Sequence, residues 1–175
     1  VVVDRAIGHA RGNLPGRRFD RGNAVPLTVD TPVNLFSAAK AVTAMVIHKL
    51  DEQGALKLDD PVAEHIPGFE RHGKDTITIR QVLTHRSAIA TLPADAFDLE
   101  LLTDHREVEA MLCGLRPSGP PGGAPAYHAV TGGFVLEAVT RRATGRSLRD
   151  VLRIEIKEPL GVDWLDFGVP EDRVE

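Results

Sequence analysis

Residues 37–53 read as a helix that cannot stand alone in water. Val42, Met45, Val46 and Leu50 fall at i, i+3, i+4 and i+8, and Ala41, Ala44 and Ile47 widen that stripe over most of the circumference. A helix this apolar has to be enclosed, so the remaining residues must supply packing elements on more than one side of it. Gly54 gives it a C-terminal stop.

The cover is expected mainly from other helices. Asp59 or Asp60, ahead of Pro61, would begin a short helix that Pro67-Gly68 ends. Thr78 can cap a helix running through Ile79, Val82 and Leu83. Further helices are expected at about 99–114, 131–143 and 147–157. Strand signals are confined to the opening, where Val1-Val2-Val3 and Ala6-Ile7-Gly8-His9-Ala10 read as two short strands closed by Gly12-Asn13. Residues 13–34 carry no period and read as connection, and Arg116 to Pro125 is too rich in Pro and Gly for either regular structure. That second stretch is expected to be a stiff surface loop delivering the chain to Tyr127. A ribbon of two strands is marginal by itself, so further sheet is expected from outside these residues.

A chain of 175 residues suffices for one good core. Its net charge of −4, without a dense basic run, argues against nucleic acid or an anionic membrane surface as the main partner. No apolar run approaches a membrane span. The one cysteine, Cys113, has no internal disulfide partner and reads as a small buried apolar side chain. That single Cys and the lack of a visible signal peptide lean toward a cytoplasmic location, although the start at Val1 leaves room for a removed upstream segment. The histidines stand at no metal-ligand spacing, and no Cys pair or phosphate-binding Gly loop is present, so neither a metal nor another cofactor is expected. The absence of a Gly-x-Ser-x-Gly elbow removes the α/β-hydrolase form of serine chemistry.

Ser37-Ala38-Ala39-Lys40 is the strongest candidate for chemistry. At helical spacing, i and i+3 share a face, which puts the serine hydroxyl beside the lysine amine. Ser37 also falls at the helix start, where unpaired N–H groups and the positive dipole end favour an oxyanion. An enclosed lysine has its pKa lowered by desolvation and can help take the serine proton. With four serines and five lysines, about 0.11 such pairs arise by chance, so the spacing alone is weak. The apolar helix that follows, and two small alanines that leave room beside the serine, strengthen it.

Tyr127 is the lone tyrosine. It follows the Pro/Gly loop and precedes Thr131-Gly132-Gly133, where a helix begins. A phenol near a lysine can have its pKa lowered and act as base to the serine and acid to the leaving group. The alternative is a tyrosine packed at a loop–helix junction, taken alone the commoner case. His85 reads as a structural loop histidine bonding to backbone.

Leu35-Phe36-Ser37-Ala38-Ala39-Lys40-Ala41-Val42-Thr43-Ala44 resembles the Ser-x-x-Lys helix of the class C β-lactamase and family VIII esterase group, within the serine β-lactamase-like and penicillin-binding superfamily. The similarity continues in order through Leu56 to Val62 with Ile66-Pro67-Gly68-Phe69, Ile77 to Ser87, Tyr127-His128-Ala129, and Gly145 to Leu148 with Glu158 to Gly161. The resemblance implies an α+β, β-lactamase/transpeptidase-like fold, with an antiparallel sheet flanked by helices beside a mostly helical region. It implies a single incomplete domain over 1–175, comprising opening strands and Ser helix (1–55) and a helical region (56–165). Its late sheet strands have no counterpart here, which makes a second chain or fragment the expected source of them. The mechanism implied is a serine acyl-enzyme: Ser37 attacks a carbonyl of a small-molecule acyl substrate while Lys40 and Tyr127 manage the proton.

Three departures bear on what is acylated. Ala129 replaces the asparagine whose amide contacts substrate in β-lactamases, which favours esters. Ala88 stands where a glycine is usual after His-x-Ser, at a cost of about 1 kcal/mol if the backbone there is left-handed. At the same place, Arg86 beside it replaces a small residue. The third departure is the missing late strand itself. The expected activity is carboxylesterase-like, and the competing readings are a β-lactamase, D-peptide hydrolase or acyltransferase using the same residues, or a non-catalytic fragment.

Overall fold

A computed structural model describes residues 3–11, 19–93 and 103–169. The chain forms two units, Val1–Leu35 and Phe36–Glu175. In the first, β1 (His9–Arg11) pairs antiparallel with β2 (Val25–Pro26), His9 opposite Pro26 and Arg11 opposite Val25 with an irregularity between them. Leu27 N–H extends the ladder to the Gly8 carbonyl. This corrects the sequence reading. Residues 3–7 are not strand, Val1 and Val2 lie outside the described residues, and the partner of β1 comes from the stretch read as connection. Pro26 is tolerated because it sits at the end of a two-stranded edge, where its missing N–H breaks no interior ladder.

The second unit is helical, as expected. Helix α1 (Ala39–Glu52) is entered through a 3₁₀ turn, Phe36–Ala38. It ends as a Schellman motif, with Gly54 N–H on the Asp51 carbonyl, Ala55 N–H on the Leu50 carbonyl and Gly54 at φ 74°. Val46, Ile47 and Leu50 are buried, whereas Ala41 and Met45 are exposed, so one face predicted to be covered is open.

Helix α2 (Val62–His65) starts at Pro61, with neither Asp59 nor Asp60 capping it. The Asp60 carboxylate instead accepts from Lys57 N–H at 2.7 Å, and Asp59 pairs with Arg80. Helix α3 (Ile79–Leu83) begins at Thr78 as expected, in a full capping box with Gln81. Helix α4 (His105–Gly114) is capped by Asp104, starting later than predicted, though residues 99–102 lie outside the described residues.

Helix α5 (Thr131–Thr144) runs through the middle of the unit, burying Val135, Leu136, Ala138 and Val139 against α1, α2, α3 and α4. Side chains of this size contribute about 1.5–3 kcal/mol each when fully buried. Helix α6 (Leu148–Leu152) starts in a capping box of Ser147 with Asp150. It passes through a widened π turn, Arg153–Lys157, into α7 (Glu158–Leu160). Pro159 explains the widening: it has no N–H for the Glu155 carbonyl and its ring crowds that oxygen.

Candidate active site

Phe36, immediately before Ser37, has φ 47°. A left-handed backbone at a bulky residue is uncommon and concentrates where a side chain must be aimed. No side chain caps the start of α1, and the positive end of its dipole lies beside Ser37. Lys40, one turn on, donates from Nζ to Ser37 Oγ at 3.5 Å. It is half-buried, less enclosed than the sequence suggested.

Tyr127 reaches the same oxygen from 90 residues away. Its hydroxyl donates to Ser37 Oγ at 2.6 Å, and Lys40 Nζ lies 5.0 Å from its ring centroid. The hydrogen bond with Ser37 and the adjacent Lys40 ammonium hold the phenol below the ordinary tyrosine value. All three residues singled out from sequence therefore converge on one hydroxyl. A phenol and an amine in contact with one serine oxygen form a relay able to remove its proton and return it to a leaving group.

The loop read as a stiff spacer has no regular structure, and hydrogen bonds to the end of α3 tie it down. Ser118 N–H donates to the Ala88 carbonyl (2.8 Å), Gly122 N–H to that of Arg86 (2.9 Å) and Ala126 N–H to that of His85 (2.9 Å). The Arg86 guanidinium, whose role sequence left open, donates to the Gly123 carbonyl at 2.7 Å. A Cβ on Gly123 would stand 2.9 Å from the Pro120 carbonyl oxygen, so that turn requires glycine. Ala88 does adopt the left-handed backbone, at φ 60°. Ala129 is exposed beside Tyr127 and offers no polar side chain.

The burial of His128 and of Lys74 escaped the sequence reading. His128 is fully buried, its Nδ1 donating to the Ala126 carbonyl (2.5 Å), which leaves Nε2 to accept from the Ser87 hydroxyl (2.6 Å). Burial pushes this imidazole below the usual histidine value, consistent with the neutral form. Its position next to Tyr127 was the available signal. Lys74 is also fully buried, with Nζ donating to the carbonyls of Arg71, Cys113 and Leu115. It closes the C-terminal end of α4, beside buried Cys113. Separately, a cleft of about 400 Å³ between α1, α4, α5 and α6 is lined by Thr43, Val108, Phe134, Arg141 and Phe167 among others, and by none of the convergent three.

The sequence profile described as Beta-lactamase matches residues 1–175. The chain belongs to the beta-lactamase family. The esterase/beta-lactamase LipL of Mycobacterium tuberculosis is 39% identical over 151 residues, 86% of this chain and 34% of LipL. A penicillin-binding protein homologue from Caulobacter crescentus superposes with a TM-score of 0.78 at 37% identity, over 87% of this chain and 40% of that one. A family VIII carboxylesterase gives the same TM-score at 31% identity, over 87% of this chain and 42% of that one. The chain thus spans well under half the length of these relatives. The α+β fold inferred from the sequence is that of this beta-lactamase-family chain and its penicillin-binding and esterase neighbours, and the family is one of serine hydrolases that includes esterases. Among the described residues no helix is long and apolar enough to cross a membrane.

Proposed function

We propose that this beta-lactamase-family chain carries the nucleophile and proton relay of a carboxylesterase acting on small acyl esters. The observation that carries the reading is the approach of Tyr127 OH and Lys40 Nζ to one oxygen, Ser37 Oγ. Ser37 attacks the ester carbonyl carbon as its proton passes to the phenolate of Tyr127. The Ser37 N–H and the positive end of the α1 dipole stabilise the oxyanion. Collapse of the tetrahedral intermediate expels the alkoxide, which takes the proton from Tyr127, and leaves an acyl group on Ser37. Water enters by the same relay, releasing the carboxylic acid and restoring the serine. The Ser37 hydrogen bond and Lys40 make the phenol more acidic and so favour the phenolate that serves as the base. The Lys40 charge also balances the phenolate.

Esters are favoured over β-lactams because Ala129 has no amide to bind a substrate amide, and because a family VIII carboxylesterase shares this part of the fold. In the intact protein, a fluorophosphonate probe should label Ser37, and Ser37→Ala should abolish the labelling. Butyrate esters should be turned over and cephalosporins should not. Labelling that persists without Ser37 would exclude it as the nucleophile, and cephalosporin turnover matching the ester would move the reading to a β-lactamase.

A further inference from the structure

Helices α1 and α3 close with the same motif but different residues. In α3, His85 N–H bonds to the Val82 carbonyl (3.1 Å) and Arg86 N–H to the Gln81 carbonyl (2.7 Å), the Schellman pattern that Gly54 and Ala55 complete in α1. The left-handed position is glycine in α1 and histidine in α3, where φ is 61°. A side chain there is disfavoured, so the imidazole is held against a steric preference.

What the imidazole touches accounts for its presence. The His85 carbonyl accepts from Ala126 N–H at 2.9 Å, and its ring Nδ1 accepts from His128 N–H at 3.2 Å. One residue therefore holds the peptide groups on both sides of Tyr127. The ring itself lies edge-on to the phenol ring, with centroids 5.1 Å apart, and stacks on His128 at 5.5 Å. Because Nδ1 accepts the hydrogen bond from His128 N–H, the ring N–H of His85 is on Nε2. The buried His128–Ser87 pair fixes the far side of the stack. Tyr127 is more than half exposed and gets little orientation from burial, so these contacts set where its hydroxyl points.

We propose that His85 is a positioning residue for Tyr127, clamping residues 126 and 128 by its carbonyl and Nδ1 and bracing the phenol with its ring. The inference rests on the reading of Tyr127 as the proton-handling group. Its test needs two readouts. In the intact protein the phenolate titration is read in the near ultraviolet as the difference between parent and Tyr127→Phe, which isolates this one phenol. Ser37, Lys40 and His85 are the groups that face it among the described residues.

His85→Gly keeps the carbonyl clamp and suits the left-handed backbone, but removes the Nδ1 acceptor and the ring. The folded variant should titrate closer to the ordinary tyrosine value of about 10 than the parent does. It should also lose about 10²-fold in kcat with KM little changed, the size expected for a misplaced reacting group. His85→Asn, which tolerates the same backbone and offers Oδ1 in place of Nδ1, should recover most of both effects. A folded His85→Gly protein with parental titration and kcat overturns the proposal, as does an Asn variant no better than the glycine one. Tyr127→Phe separates the two ideas: full turnover in that variant removes Tyr127 from the chemistry, and the titration then judges the clamp by itself.

Discussion

Replacing Lys74 by methionine keeps the length and volume of a fully buried side chain and deletes its ammonium. Three carbonyl oxygens, those of Arg71, Cys113 and Leu115, lose a donor that stood 3.0, 2.8 and 2.6 Å away. A buried acceptor left unpaired costs about 1–3 kcal/mol, so three amount to roughly 3–9 kcal/mol. Against this, the variant no longer holds an ammonium out of water, which returns several kcal/mol. The balance is a net loss of about 3 kcal/mol, a large part of the ~5–15 kcal/mol that typically holds a domain together.

Urea denaturation followed by circular dichroism reads this directly. With a slope of about 1–3 kcal/mol per molar, the midpoint should fall by roughly 1–3 M. The pH dependence gives a second arm. Burial pushes the folded-state Lys74 below the ordinary lysine value. The unfolded chain therefore binds more protons between the folded value and about 10.4, and parental stability should rise with pH across that window relative to the methionine variant. A loss under about 1 kcal/mol, or a stability difference that does not change with pH, would refute the reasoning.

Ala88→Gly relieves a left-handed alanine worth about 1–2 kcal/mol and frees the unfolded chain by about 0.4–1, so it should stabilise by roughly 0.5–1 kcal/mol in the same titration. Tyr127→Phe should lower kcat by about 10²–10⁴, and the double variant with Lys40→Ala should fall far short of the product of the two single losses. In the parent, kcat/KM should rise as the phenol loses its proton. Because the Ser37 hydrogen bond and Lys40 hold that ionisation down, the rise should be centred below about 10, and a limb at or above that value would count against Tyr127 as the base.

What the sequence disclosed was local in origin. The Ser37–Lys40 spacing, the Thr78 cap, the stop at Gly54 and the loop character of 116–125 each depend on neighbours within a turn or two, and each is found in the structure. Tyr127 stood out by its rarity and its place after the Pro/Gly loop. The readings that changed depend on distant partners. The pairing of β1 with Val25–Pro26 spans a stretch without periodicity. Asp60, read as a possible start for the helix after Pro61, closes the Lys57 turn rather than capping α2. Lys74 carries no local mark of burial because two of its acceptors lie about 40 residues further on. Met45 fits the apolar stripe by spacing, but whether that face is covered depends on what packs there.

The backbone ties between the end of α3 and the tyrosine loop also bear on how this region opens. The amides of Ser118, Gly122, Ala126 and His128 all give their protons to residues 85–88. None of those bonds belongs to a helix or a strand ladder, yet all four fasten one eleven-residue loop to a single four-residue anchor. Such amides exchange with solvent as a set, through one shared opening event, rather than fraying separately as loop amides usually do. Opening of the segment would carry the tyrosine backbone away from the serine, so exchange of these amides reports how often the loop that holds Tyr127 is in place.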